Sequence, residues 1–179
     1  MSSSIEGLDS LLKKLNMLSS EVANEIGEQI IADATLTVQS SARQLAPKDT
    51  SALLRSIKIE KNIEGSEHVG TVYTNSEYAS YMEFGTGPNG QASHSGISPK
   101  VSPTYCQNGW GIPAEAMSAK KAEEYGLGIV KRNGEVTGYY TKGHPATPFM
   151  YPALKDNYKR IINHSKKVVR DKLKELSDD

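Results

Sequence analysis

The side chains here that could do chemistry are four histidines, one cysteine and a few nearby acids. His68, His94, His144 and His164 are scattered, and no two stand four residues apart. Joined with Cys106 they do not form a zinc-ligand spacing. A single cysteine rules out an intramolecular disulfide. Glu77 and Glu83 could act as paired carboxylates for acid–base work. The residues favour another role for Glu83, as a partner for a backbone turn or for Arg55. No G-x-S-x-G elbow is present. Gly85-Thr86-Gly87-Pro88-Asn89-Gly90 resembles a phosphate loop superficially. It lacks the Lys-Ser/Thr end, and no helix pattern follows at once. Lys155, Lys159, Arg160, Lys166, Lys167, Arg170, Lys172 and Lys174 could touch phosphate. With no interleaved aromatics beyond Tyr158, they read as a solvated helix face. The sequence therefore assigns no catalytic, cofactor or metal residue and points away from an enzyme.

Composition sets the frame for these residues. The chain has 179 residues, room for one domain with a real core. Its 21 basic and 21 acidic side chains balance. That argues against a protein that lives on non-specific nucleic-acid contacts. The start, MSSSIEGLDSLL, has no basic region followed by an apolar run and does not read as a signal peptide. No apolar run approaches the roughly 18 residues a bilayer span needs. The expectation is a soluble protein made and used in a cytoplasm, with no membrane partner.

The elements follow from periodicity. Ile5, Leu8, Leu11, Leu12, Leu15, Leu18, Val22, Ile26 and Ile30 recur at spacings of three and four, the stripe of an amphipathic helix. Ser19 and Ser20 interrupt it, and Pro47 ends its continuation through Leu45. The pattern predicts a short helix, then a long one over about Ser20–Leu45. Strands are expected over Ile57–Ile63 and Val69–Thr74, with Glu64–Glu67 as a hairpin turn. Asn75-Ser76-Glu77 could start a short helical turn through Tyr78 and Ala79, and the Tyr81–Gly87 stretch then reads as a tight corner. Taken as extended chain, it puts Tyr81 and Glu83 on one face and Met82 and Phe84 on the other.

From Pro88 to Gly143 the character changes to a Gly-, Pro- and Ser-rich arm within one domain. Trp110–Glu115 is an ordered island inside it, and Ala114–Tyr125 reads as one short helix. A hairpin over Leu127–Thr141 turns at Asn133-Gly134. Thr147-Pro148 resembles a helix cap, with Pro152 pushing the regular helix towards Tyr151. Leu154, Tyr158, Ile161, Ile162, Val168, Val169, Leu173 and Leu176 then make a second long amphipathic helix. The fold class expected is α+β, with a small, mainly antiparallel sheet packed by two long helices.

Three blocks stand in order: Ala46–Ile57 (APKDTSALLRSI), Tyr78–Thr86 (YASYMEFGT) and Pro145–Leu154 (PATPFMYPAL). Together they resemble the tail-component family of long-tailed phages, typified by gene product ten of a lambdoid phage. That pattern runs A-P-x-D-T-G-x-L-x-x-S-I, Y-A-x-x-x-E-x-G-T, then P-x-P-F-x-x-P-A-L ahead of a C-terminal helix. The matching positions are Pro47, Asp49, Thr50, Leu53, Ser56, Tyr78, Ala79, Glu83, Gly85, Thr86, Pro148, Phe149 and Pro152. Ser51 stands where the family usually has glycine, and a φ > 0 turn there would be strained.

The resemblance implies a structural, non-enzymatic virion or prophage protein at the neck, joining head connector to tail as a homo-oligomeric ring. Its partners would be head-connector and tail proteins, with DNA only as channel contents. It would sit in the virion, and in host cytoplasm during assembly. Trp110, Tyr139 and Tyr140 are the candidate contact aromatics of the arm. Two rivals remain: a nucleic-acid-binding module using the basic C-terminal helix, and a small hydrolase using Glu83.

Overall fold

Secondary structure follows the periodic segments closely and departs from expectation where the chain lacks a period. The computed structural model describes residues 20–48, 51–65 and 67–178. The short helix expected over Ile5–Leu18, and the motif residues Asp49 and Thr50, lie outside the described residues. Described elements are α1 (Ser20–Leu45), α2 (Ser51–Ser56), β1 (Ile57–Glu64), β2 (Glu67–Thr74), α3 (Ala79–Phe84) and α4 (Gly87–Ala92). β3 (Trp110–Pro113), a 3₁₀ turn (Ala114–Ala116), α5 (Ala119–Glu124), β4 (Gly128–Arg132), β5 (Glu135–Thr141) and α6 (Met150–Asp178) follow. With long helices at both ends and antiparallel sheets, the class is α+β. The chain divides into two compact units.

The first unit contains α1 up to Gln44, the β1–β2 hairpin and α6 from Ala153 onward. α1 buries Ile26, Thr35, Val38 and Ala42, a spacing that returns to one helix face. Thr35 is satisfied locally, its Oγ1 donating to the carbonyls of Ile31 at 2.8 Å and Ala32 at 3.0 Å. β1 and β2 pair antiparallel from Ile57↔Thr74 to Glu64↔Glu67. Gly70 lets β2 approach α1 closely. A Cβ there would stand 2.5 Å from Thr35 Cγ2 and 2.7 Å from Ile31 Cγ2. Gln39 Nε2 and Arg43 Nη2 both donate to the Ile57 carbonyl, at 2.9 and 2.8 Å, pinning α1 to the start of the hairpin. His164 Nε2 on α6 lies 3.0 Å from Asp33 Oδ2 on α1. A cavity of about 370 Å³ opens between these two helices.

The second unit holds residues 45–56 and 75–152. Its sheet has the order β3-β5-β4, all antiparallel. Asn133 at φ 53° and Gly134 at φ 86° make the expected two-residue turn, since such hairpins need positive φ at both centres.

Several expectations change here. The stretch expected to run extended through Tyr81–Phe84 is helix α3. Its buried residues, Ala79 and Glu83, are four apart, the spacing of one helix face and not of a strand. A helix, α4, begins within the Gly85–Gly90 stretch itself, opened by an extended Thr86 and with Pro88 in its first turn. Six residues long, it offers no extended dipole. Trp110 belongs to a strand. The single helix expected over Ala114–Tyr125 is split at Met117-Ser118, where the Ser118 side chain accepts from Lys121 N at 3.3 Å and restarts the helix as α5. Ser51 opens α2, and Asn133 is the only non-glycine at positive φ among the described residues. The strain anticipated at Ser51 does not arise.

Candidate functional site

Glu83 is the node of the second unit. It sits on α3, is only 6% exposed, and its carboxylate faces the start of α6. Oε2 accepts from Phe149 N at 2.7 Å and Met150 N at 2.9 Å, and Oε1 accepts from Tyr151 N at 3.0 Å. A helix start leaves its first N–H groups without intrahelical partners. Here the next residue is Pro152, which has no N–H to leave unpaired. One carboxylate and one proline thus complete the helix start, and the negative charge lies at the favourable end of the helix dipole. The sequence expected Thr147 to cap this helix. Instead Thr147 N donates to the Met82 carbonyl at 2.7 Å, while α6 begins at Met150, beside the expected start at Tyr151. The cap comes from 66 residues upstream, a distance no local pattern reveals. Of the two partners expected for Glu83, the structure selects the backbone turn. Arg55 Nη2 donates to Ser51 Oγ at 2.7 Å instead.

Around this node two strips of chain are stitched together. Thr86 N donates to His144 O at 2.9 Å, and His144 N donates back to Thr86 Oγ1 at 2.9 Å. Asn89 N donates to Lys142 O at 3.0 Å, its Nδ2 to Gly143 O at 3.0 Å, and Ala146 N to Ser93 O at 2.8 Å. Gly85, at φ 74°, permits this closeness: a Cβ would meet Ala146 N and Gly90 Cα at 2.7 Å and His144 O at 2.8 Å. Tyr105 closes the far side, its hydroxyl donating to Phe84 O at 2.8 Å while its ring stacks on His94 at 5.8 Å. Desolvation holds that phenol above the ordinary tyrosine range.

The motif residues fall into place unevenly. Leu53 and Phe149 are fully buried, Ala79 nearly so. Ser56 Oγ donates to Leu53 O at 2.7 Å. Pro47, Pro148 and Pro152 are half-buried, and Tyr78, just ahead of α3, is exposed. The second and third sequence blocks meet at Glu83. Tyr105, Ser93 and Gly143, which sequence reasoning did not single out, complete the stitching together with Asn89 of the Gly85–Gly90 stretch. A glycine after Lys142 was the only local hint.

The arm's aromatics divide. Trp110 and Tyr140 are exposed, whereas Tyr139 is 3% exposed and its hydroxyl donates to Met117 O at 3.0 Å. Trp110, Ile112, Met117, Tyr125, Leu127 and Met82 line a mainly apolar groove of about 590 Å³. Glu124 and His144 stand at it as polar groups.

Chemically, the Glu83 arrangement holds chain to chain. Both oxygens of Glu83 are occupied by backbone donors, and Glu77 is exposed. Among the described residues no three His, Cys, Asp or Glu side chains converge as metal ligands, and no helix is long and apolar enough to cross a membrane.

Residues 9–85 match the HK97-gp10-like family, described as "Bacteriophage HK97-gp10, putative tail-component". The match takes in the first motif block and the second up to Gly85, and ends before the third. No curated protein and no solved structure matches the chain.

Proposed function

We propose, from a chain whose residues 9–85 carry the signature of a phage tail component, that this protein is a structural part of the head–tail interface. It acts as a neck or tail-completion component and joins head connector to tail as a ring of copies. The family match carries this reading. The geometry supports it, because the second and third blocks converge on one structural bond set, the Glu83 cap of α6. That use of a carboxylate leaves no free acid or base there for a hydrolase.

The arm between Pro88 and Gly143 is the contact element in this reading. Its groove offers Trp110 and Tyr125, aromatic anchors of the kind that dominate protein interfaces. The structure suggests a clean excision. Trp110 and Thr141 are cross-strand partners, so removing the chain between them leaves neighbouring ends, about 5 Å apart, for a short turn to join. Ser93, Tyr105 and the Glu83 cap all remain.

The test is complementation of tail-less heads and free tails by a chain whose residues 111–140 are replaced by a two-residue turn. The expected result is a folded protein with head–tail joining lost. Full joining by that chain would remove the arm from the mechanism. A wild-type protein that neither forms rings nor changes mass beside head-connector or tail proteins would remove the neck reading itself.

A further inference from the structure

α6 carries an apolar stripe that its own unit leaves in solvent. Leu154 is 51% exposed, Tyr158 60% and Ile162 37%. They stand four residues apart and so share one side of the helix. The α1-facing side is different: Arg160, Ile161, His164 and Ser165 line the cavity shared with α1. The stripe lies about a quarter-turn away, at 3.6 residues per turn. Lys159, Lys166 and Arg170, all exposed, border it on the other edge. Over its whole length α6 has eight lysines and arginines against four acids.

α1 shows the opposite sign. It carries four acids and one arginine. Glu25 and Glu28 are exposed, and Leu36, 56% exposed at the edge of the cavity that α1 shares with its own α6, lies on the side of Glu25, eleven residues or three turns along. The chain is neutral as a whole, so the two helices segregate charges that cancel overall.

We infer that the Leu154–Tyr158–Ile162 stripe of one copy docks on the Glu25–Leu36 face of α1 in a second copy, with the Lys159–Arg170 edge set against Glu25 and Glu28. The inference rests on the ring reading above and names its contact. Charge chooses the occupant. Two α6 stripes face to face would bring basic edge against basic edge, whereas α6 against α1 brings opposite signs together. A contact between two different faces is head-to-tail, and such contacts close into rings when the rotation permits.

The test is a charge-swap mixture read by light scattering. One chain carries Lys159→Glu, Lys166→Glu and Arg170→Glu, and the other Glu25→Lys and Glu28→Lys. All five positions are exposed, so circular dichroism should match wild type. Each variant alone is expected to self-associate at least tenfold more weakly than wild type. An equimolar mixture should recover association, because each swapped face then meets a complementary one. Leu154→Asp should abolish association in either background, and rising salt should weaken the wild-type assembly.

Variants that associate like wild type would overturn this contact while leaving the ring reading intact. A wild-type chain that stays monomeric at every concentration, with or without its tail partner, would overturn both. If mixing restores nothing and Leu154→Asp acts only in chains retaining residues 1–18, the stripe belongs to the chain's own apolar N-terminal segment. That result also overturns the proposal.

Discussion

The hairpin beside α1 and the stitched strips around Glu83 are held by different forces. In the first unit the elements are long. A 26-residue helix presents Ile26, Val38 and Ala42 to the interior, and two eight-residue strands pair in unbroken register. Stability there is spread over apolar area, at about 25 cal/mol per Å² buried. In the second unit, α2, α3, α4 and α5 each have six residues. Its order comes from backbone groups bonded across wide sequence gaps, Thr86 with His144, Asn89 with Lys142, and Glu83 with three amides. Area tolerates small losses anywhere. A polar lattice concentrates its cost at a few atoms, because a buried donor left unpaired forfeits its full desolvation penalty.

Glu83→Ala is therefore the substitution expected to break the contrast most. It orphans three amides at the α6 start, and the loss should be about 4 kcal/mol. Glu83→Gln keeps the shape and one acceptor but turns an NH₂ towards backbone donors, and should lose about 2–3 kcal/mol. Urea unfolding gives the size, and amide exchange gives the place. Exchange at Phe149, Met150 and Tyr151 should accelerate while the β1–β2 amides keep their protection. A change below about 0.5 kcal/mol for Glu83→Ala would remove this carboxylate as the node.

Two glycines sharpen the same comparison with a single methyl each. In the second unit, Gly143 has φ 92°, and an added Cβ would run into the Thr86 carbonyl and stand 2.9 Å from Gly87 N. Backbone cannot rotate aside, and the φ itself disfavours alanine, so Gly143→Ala should cost about 3 kcal/mol. In the first unit, the Cβ of Gly70→Ala would crowd the Cγ2 methyls of Thr35 and Ile31 and meet Ile31 O at an ordinary 3.7 Å. Both methyls stand one bond from the Cβ of a stiff β-branched side chain, so β2 must move slightly off α1, and the cost should be about 2 kcal/mol. Equal losses in paired denaturation curves would mean that the two regions yield alike.

What could be read in the sequence follows the same division. α1 is read to its ends, because Ile26, Ile30, Val38 and Leu45 repeat at helical spacing and Pro47 stops them. The hairpin is read because Glu64-Gly65-Ser66-Glu67 is a local signal, and so is Asn133-Gly134. α3 is misread because in six residues both periods find support. Tyr81 and Glu83 alternate as a strand would, yet Ala79 and Glu83 are the pair that is buried. Glu83 is correctly singled out as a partner for a backbone turn, but its three amides lie 66 to 68 residues away. Thr147 looked like the cap because capping is usually local. β3 is missed because Trp110-Gly111-Ile112-Pro113 has too few residues to show alternation, and its place is set by β5.

Tyr105 provides the finest test, since it adds one hydrogen bond to the stitched region and carries a proton that can be titrated. Tyr105→Phe keeps the ring stacked on His94 and removes the donor to Phe84 O, a loss of about 1 kcal/mol at neutral pH. The sign of its pH dependence is fixed by desolvation, which raises the folded-state pKa above 10.0. Its contribution is fully present below that ordinary value and is lost as pH rises through the raised one. The stability difference between wild type and Tyr105→Phe should therefore be flat from neutral pH to about 9 and shrink in more alkaline solution. The difference matters more than either curve, since the other tyrosines titrate in both chains. A gap that stays constant into strong alkali would detach the Tyr105 hydroxyl from the stability of this region, leaving Glu83 and the Thr86–His144 pair as its polar supports.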